Sequence, residues 1–385
     1  MCLPQIGNVA CLTINGIYLL MKITGITTYR HRLDIKPEYT MITALGVNTG
    51  NEFVVLRLHT DVGIDGLGEA TITVRWSGEV PAGCEQVLHE TLVPAIVGLE
   101  VGDFKELNRR MDACCSRNWF AKSAIEMACW DALGKEQGKP VYELLGGACR
   151  SLKIKSRFSM GAYEVERATQ RAKELVDLGF DTIKVKVGTD PVEDVARVKA
   201  VRKAIGFEKD LVIDANCGWD VETAIDCVLQ LSDCRLDLVE QPTPDGDYAG
   251  LARLRRETGV KVLADDICFD LVHAQELIRN QCCDAISVYP GKNGGISRSI
   301  EILEYAQSHD IACSIGSNLE WDIGIATMAH LVVAHENMRI EEFPGDVLGP
   351  AYYVERIVSE PIDISGPYTT ISGKPGLGIG ELLLG

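Results

Sequence analysis

Four short runs in the second half of the chain carry groups able to do chemistry. "DTIKVKVG" holds Lys184 and Lys186, "LVIDAN" holds Asp214 and Asn216, "LDLVEQP" holds Glu240, and "VKVLADD" holds Asp265 and Asp266. In an extended strand, side chains alternate faces, so Lys184 and Lys186 point one way with Thr182 while Ile183, Val185 and Val187 point the other. Two lysines so placed on a strand are ordinarily a solvated edge. The spacing of the acids argues otherwise. Asp214 follows Lys186 by 28 residues, Glu240 follows Asp214 by 26, and Asp265 follows Glu240 by 25. One carboxylate per repeat would bring three to a common centre. A single Asp or Glu in such a place is usually a helix cap or a loop ion pair. Three facing one another repel unless a cation sits among them. Hard oxygen donors suit Mg2+, with Mn2+ as a substitute. No cluster of His or Cys offers a competing zinc site.

The elements that must position these residues follow from the rhythm of the chain. Residues 21 to about 70 read as strands with Gly turns, and 83 to 145 as helices, together an α+β domain. From about 150 the pattern becomes strand, helix, strand, helix. Apolar runs occur at "LKIKSRFSM", "TIKVKV", "LVIDAN", "LDLVEQP", "VKVLADD", "CDAISVYP", "IACSIGSN" and "RIEEF". Eight strands with crossover helices predict a (β/α)8-type barrel, whose catalytic face lies at the C-terminal ends of the strands. A doubly wound sheet is the alternative, but no G-x-G-x-x-G follows a strand in this half. The last 40 residues, ending "SGKPGLGIGELLLG", are polar and Gly-rich and are expected to leave the barrel.

Composition narrows the function class. The 385 residues carry a net charge of -17 and no long basic run, so nucleic acid and anionic membranes are poor partners. An anionic substrate needs local positive charge, from metal ions or lysines. Fourteen cysteines are scattered without a C-x-x-C, which predicts a reduced, cytoplasmic protein. Residues 1–20 are apolar but lack a charged leader region, and Met21 opens a first strand. They are expected to be an extension without functional consequence.

"KVKVG", "IDANCGW", "LVEQP", "LADD" and "KNGGI", in this order, resemble the enolase superfamily, within it the muconate-lactonizing (muconate cycloisomerase) subgroup of the mandelate racemase/muconate lactonizing enzyme family. The likeness runs over residues 21 to 385 and includes "GLGEATI", "FAKSAIEMACWDALGK", "YELLGG" and "PGLGIG". It implies a (β/α)7β modified TIM barrel over 146–345 under an α+β cap, made by residues 21–145 and a returning segment, 346–385. It also implies a small carboxylate substrate, α-proton abstraction through a metal-stabilised enediolate, and a homo-oligomer. A Lys or His base working with one or two Mg2+ ions is the pattern of such sites. Carried over, Asp214, Glu240 and Asp265 would be metal ligands and Lys186 the acid/base, with Lys184 beside it. Asn216 and Asp266 would orient them.

The likeness breaks at one place. Racemases of the subgroup place a second lysine at the end of strand six, five residues before a Gly-Gly pair. In "SVYPGKNGG" that position is Tyr289, while Lys292 stands two before Gly294. Strand seven, "IACSIGSNLEWD", has no His. One base favours cycloisomerisation or β-elimination (a dehydratase). Racemisation or epimerisation of an amino acid derivative or hydroxy acid is the alternative, and a metal-free aldolase with Lys186 as Schiff base a remote one. Glu320, and Glu341 or Glu342, are candidate substrate contacts at strands seven and eight. Arg75 and Trp76, in the cap loop 71–79, and the loop 33–46 are expected to cover the barrel mouth and select the substrate.

Overall fold

A computed structural model of the chain describes residues 13–14, 17–18 and 20–384. The extension expected over residues 1–20 lies almost wholly outside the described residues. Within it the structure describes only a small antiparallel pair, Thr13–Ile14 with Ile17–Tyr18.

The cap is built on an antiparallel sheet of β1 (Ile23–Asp34), β2 (Gly50–Thr60) and β3 (Gly66–Thr71). Its helices include α1 (Phe104–Cys114) and α2 (Trp119–Gln137). Helix α2 is buried almost all round, because the cap sheet lies on one side and the barrel on the other. The approach to the sheet is close enough that a side chain at Gly68 would overlap the backbone of Ala124. A hairpin, Met41–Thr43 with Gly46–Asn48, projects between β1 and β2.

The barrel strands are β4 (Phe158–Met160), β5 (Thr182–Lys186), β6 (Asp210–Asp214), β7 (Leu238–Glu240), β8 (Val262–Ala264), β9 (Ala285–Val288) and β10 (Ala312–Ile315). All pair in parallel and in chain order. The inward face explains the charged strand ends. Val212, Leu238, Leu263, Ala285 and Ala312, with Phe343, form an apolar plug in the barrel floor. Two residues on from these strand positions stand Asp214, Glu240, Asp265, Ser287 and Ser314. With a period of two, the face that is apolar at the bottom is polar at the mouth. Many of the chain's other aspartates do the ordinary work of capping: Asp190, Asp220, Asp247 and Asp270 each accept backbone N–H groups at the start of a barrel helix.

Two expectations change. The eighth strand, "RIEEF", is not a strand. Residues 338–343 are turns held by a single parallel bridge, Cys313 with Met338. The barrel closes through Gly345 and Asp346: Arg157 N–H donates to the Gly345 carbonyl at 2.9 Å, and Asp346 N–H to that of Ile315 at 3.1 Å. The Glu341–Glu342 pair would put a charge on each face of a buried strand, and Pro344 has no N–H to give a ladder. The run "LKIKSRFSM" divides. Lys153–Lys155 joins a separate three-stranded sheet with Asp363–Ser365 and Tyr368–Thr370, and only Phe158–Met160 enters the barrel. Beyond that sheet the tail reaches the cap, where Leu377 N–H donates to Asp131 of α2 at 2.9 Å.

The described cysteines are all free thiols. No helix among the described residues is long and apolar enough to cross a membrane.

Candidate active site

Strand register sets the site. Lys186 on β5 lies directly beside Asp214 on β6, and Asp214 beside Glu240 on β7. The Lys186 ammonium donates to Asp214 Oδ2 at 2.6 Å and to Asn216 Oδ1 at 2.7 Å. Lys184 Nζ bridges the two acids, at 3.0 Å from Asp214 Oδ2 and 2.9 Å from Glu240 Oε1. Asn216 reaches Lys186 because its backbone turns into the left-handed region, with φ +42°.

The environment of each acid differs. Burial opposes the charge on Asp214, but Lys186 and Lys184 hold its carboxyl well below the usual range. Burial raises Glu240, and the neighbouring Asp214 and Asp265 carboxylates add to this against the pull of Arg157 and Lys184. Asp266 is pushed furthest up, by burial and then by Asp265 and Asp214, and its Oδ2 is buried without a partner. Lys184 is held above the usual lysine value: burial and Arg157 oppose its charge, yet Glu240 and Asp214 prevail.

Lys292 is fully buried and turned away from any role as a free base. Its three N–H bonds go to Asp265 Oδ1 at 2.7 Å, the Asp265 carbonyl at 2.9 Å and the Ser287 carbonyl at 2.8 Å. It anchors Asp265. Tyr289 is buried and lies on the cavity wall, with the Lys292 ammonium 4.6 Å from its ring centroid and Trp76 stacked at 6.0 Å. Burial, then Asp265 and Glu320, keep its phenol well above the usual tyrosine value. It is protonated at neutral pH.

These groups open onto a cavity of about 350 Å3 between the barrel mouth and the cap. Lys184, Lys186, Asn216, Glu240, Asp265, Asp266 and Tyr289 line its floor, and Arg75 and Trp76 its cap side. Residues of the hairpin at 41–48 line it too, so both expected cap loops reach the mouth. Glu320 stands off the wall. Its carboxylate turns back on its own loop, accepting from Ser317 Oγ at 2.7 Å and Asn318 N–H at 3.0 Å, and burial pushes it up to about 8. Glu341 and Glu342 are at the wrong end. Glu342 pairs with Arg339 and, at 3.5 Å, with Lys261 before β8, while Glu341 pairs with Arg150 at 3.1 Å. Without an eighth strand, nothing carries them to the mouth.

Three residues were missed from the sequence. Arg157 is fully buried and donates to Glu240 Oε2 at 2.7 Å, and Ser159 and Asp346 line the cavity. Arg157 and Ser159 share one face of "SRFSM", so alternation in the first barrel strand was the available signal. Asp346 had none. Among the described residues, no three His, Cys, Asp or Glu side chains are drawn together as a metal cage. Each acid leans instead on a cation: Asp214 on Lys184 and Lys186, Glu240 on Arg157 and Lys184, Asp265 on Lys292.

A capped parallel barrel with acids and lysines at its mouth has the form of an enolase-type enzyme. The comparisons agree. Residues 24–146 match the mandelate racemase / muconate lactonizing enzyme N-terminal domain, and residues 167–380 the enolase C-terminal domain-like family. The chain belongs to the enolase superfamily, in its mandelate racemase/muconate lactonizing enzyme branch. It is 34% identical to a hydrophobic dipeptide epimerase of Enterococcus faecalis, over 83% of this chain and 89% of that protein. It is 30% identical to muconate cycloisomerase 1 of Rhodococcus opacus, over 90% and 92%. A crystal structure of the Enterococcus faecalis V583 dipeptide epimerase, complexed with Mg and the dipeptide L-Leu-L-Tyr, matches with a TM-score of 0.88 at 31% identity, covering 94% of this chain and all of that one.

Proposed function

We propose that the protein removes the proton next to the carboxylate of a small organic acid, with Lys186 as base and Asp214, Glu240 and Asp265 as ligands for Mg2+. The donor set fits such an ion. Three hard carboxylates come from neighbouring strands, and Asp266 Oδ2 is a buried oxygen without a partner. When bound, the ion supplies the positive charge that makes the α-proton of a carboxylate removable. The chain's own groups do the rest. Lys186 takes the proton and Asn216 keeps its ammonium aimed. Lys184 and Arg157 hold Asp214 and Glu240 in place, and Lys292 holds Asp265.

One observation carries the choice of reaction. Tyr289 ends the sixth barrel strand, β9, across the mouth from Lys186 on the second, β5. A protonated phenol there is a donor and a poor base. With Lys292 committed to Asp265, Lys186 is the lysine left to act: in β-elimination it takes the α-proton and returns it to the leaving group, and in cycloisomerisation it carries the one proton that leaves the α-carbon as the ring opens or joins it as the ring closes. That favours β-elimination or cycloisomerisation. The similarity to dipeptide epimerases favours a second reading, epimerisation of an amino acid derivative, in which Tyr289 would exchange a proton on the second face.

Incubation with a carboxylic-acid library in D2O and Mg2+, followed by NMR, separates these. Elimination or ring closure is the expected outcome. Deuterium incorporated with inversion and no net elimination would establish the epimerase reading instead. EDTA should abolish activity, and trapping of substrate by borohydride would point to a Schiff-base aldolase and overturn the metal reading.

A further inference from the structure

We propose that Asp194, paired with Arg197 behind the barrel mouth, is a positioning residue that fixes Lys186 and Asn216 relative to one another. The inference rests on the reading above, in which Lys186 takes the proton and Asn216 aims it.

Strand β5 ends at Lys186, and the chain passes through Val187, Gly188 and Thr189 into the helix Pro191–Ile205. Asp190 already caps that helix by accepting the Val192 and Glu193 N–H groups. Asp194, a turn further on and fully buried, bends back over the loop. Its carboxylate accepts the N–H groups of Gly188 and Thr189 at 2.8 and 3.0 Å and the Thr189 hydroxyl at 2.9 Å. It also accepts the Arg197 guanidinium at 2.6 Å and the Trp219 indole N–H at 3.2 Å.

The last two partners lead to the two ends of one hydrogen bond. Arg197 is itself buried, and it donates to the Lys186 carbonyl at 3.3 Å and to the Tyr163 carbonyl. The main chain beneath the base is thereby tied down. Trp219 closes the loop that carries Asn216. That loop is costly, because Asn216 and Cys217 both adopt left-handed backbone, with φ +42° and +65°. Its far end is held by the indole on Asp194 and by the Trp219 backbone N–H on the Pro242 carbonyl at 3.3 Å. The loops after β5 and β6 touch so closely that a side chain at Gly218 would overlap the Gly188 carbonyl.

The contacts form a ring: the Lys186 carbonyl, Arg197, Asp194, Trp219, Asn216, and back to the Lys186 ammonium at 2.7 Å. Of its members, Lys186 and Asn216 line the cavity, while Arg197, Asp194 and Trp219 stand behind the wall. A buried ion pair gains little over apolar packing of the same volume. Here it fixes a geometry that apolar side chains could not, since each bond is directional and joins a different loop of the mouth.

NMR of 15N-labelled lysine side chains reads the Lys186 ammonium in the full chain without substrate, its resonance being the one lost in Lys186→Ala. Trp219→Phe removes a single N–H donor from Asp194 and keeps an aromatic ring. It should shift that resonance, and Asp194→Asn should shift it further. In the D2O assay with Mg2+, kcat should fall about tenfold in Trp219→Phe and about 10²-fold in Asp194→Asn, with KM within about twofold, because a misplacement of about 1 Å costs on that order. In an Asn216→Ala background, Trp219→Phe should add little. A resonance unmoved in Trp219→Phe overturns the proposal, as does an undiminished effect of Trp219→Phe on kcat in the Asn216→Ala background. Trp219→Phe decides the matter alone should Asp194→Asn not fold. A merely structural role would lower the melting temperature and leave the resonance and kcat of the folded protein intact. Should the resonance move while no acid exchanges its α-proton, the reaction proposed above fails and the positioning of Lys186 stands.

Discussion

Lys186 Nζ and Asp214 Oδ2 lie 2.6 Å apart on adjacent barrel strands, in direct register. The proposed base and the first acid of the site are thus one ion pair before any substrate enters. Asn216 completes it, and the same Asp214 oxygen also receives Lys184. Replacing Lys186 by Ala removes the proposed base and leaves Lys184 to satisfy Asp214. We expect α-proton exchange to fall by about 10²–10⁴-fold, with the melting temperature nearly unchanged. Exchange that survives in Lys186→Ala, read by NMR in D2O, would refute its role.

Metal binding is checked apart from catalysis. Saturating Mg2+ should raise the melting temperature by several degrees, since a ligand at about 100 Kd stabilises by about 2.7 kcal/mol. Asp214→Asn, Glu240→Gln and Asp265→Asn should each abolish most of that shift. An undiminished shift in all three would refute them as the proposed Mg2+ ligands.

Arg157 and Glu240 form a fully buried pair, with Arg157 Nε and Nη1 left without partners. Truncation to Arg157→Met leaves Glu240 only Lys184, and buried pairs broken from one side typically cost about 3–5 kcal/mol. Urea unfolding of Arg157→Met, Glu240→Gln and the double variant measures it. The double variant should lose less than the sum of the singles. Strict additivity would mean that the pair is not coupled.

Glu69 docks the cap to the barrel. It accepts the Trp321 and Gly324 N–H groups at 2.7 and 3.0 Å, and burial pushes its carboxyl to about 7 from a usual 4.5. The neighbouring Glu320 stands at about 8 for the same reason. Both bind a proton more tightly folded than unfolded. Their contribution is complete below pH 4.5 and fades as pH rises toward 7 for Glu69 and 8 for Glu320. The slope is about 1.4 kcal/mol per pH unit for each group protonated only when folded. Glu69→Gln should flatten the decline between pH 4.5 and 7, followed by thermal melting across pH. An unaltered decline would assign it elsewhere.

Much of the site was legible because it is written in local periods. Alternation along "TIKVKV" placed both lysines on one face, and a repeat of 25 to 28 residues placed Asp214, Glu240 and Asp265 at successive strand ends. Tyr289 in place of a lysine was visible by the same counting from Gly294. "RIEEF" misled because a short run with two charges reads as a strand end, whereas the closing of a barrel depends on what its edges can pair with. They pair through Gly345 and Asp346, and so Glu342 is left near Lys261 at the floor.

The chain by itself determined the order of the barrel strands and the chemical identity of the groups at their ends, since both follow from backbone geometry repeated every few residues. Only the tertiary structure decided which cation holds which acid. Arg157 meets Glu240 across 83 residues, Lys292 turns inward to Asp265, and Trp76 comes from the cap to lie on Tyr289. Such contacts are set by how the cap and the two edges of the barrel close on one another, which no local period records.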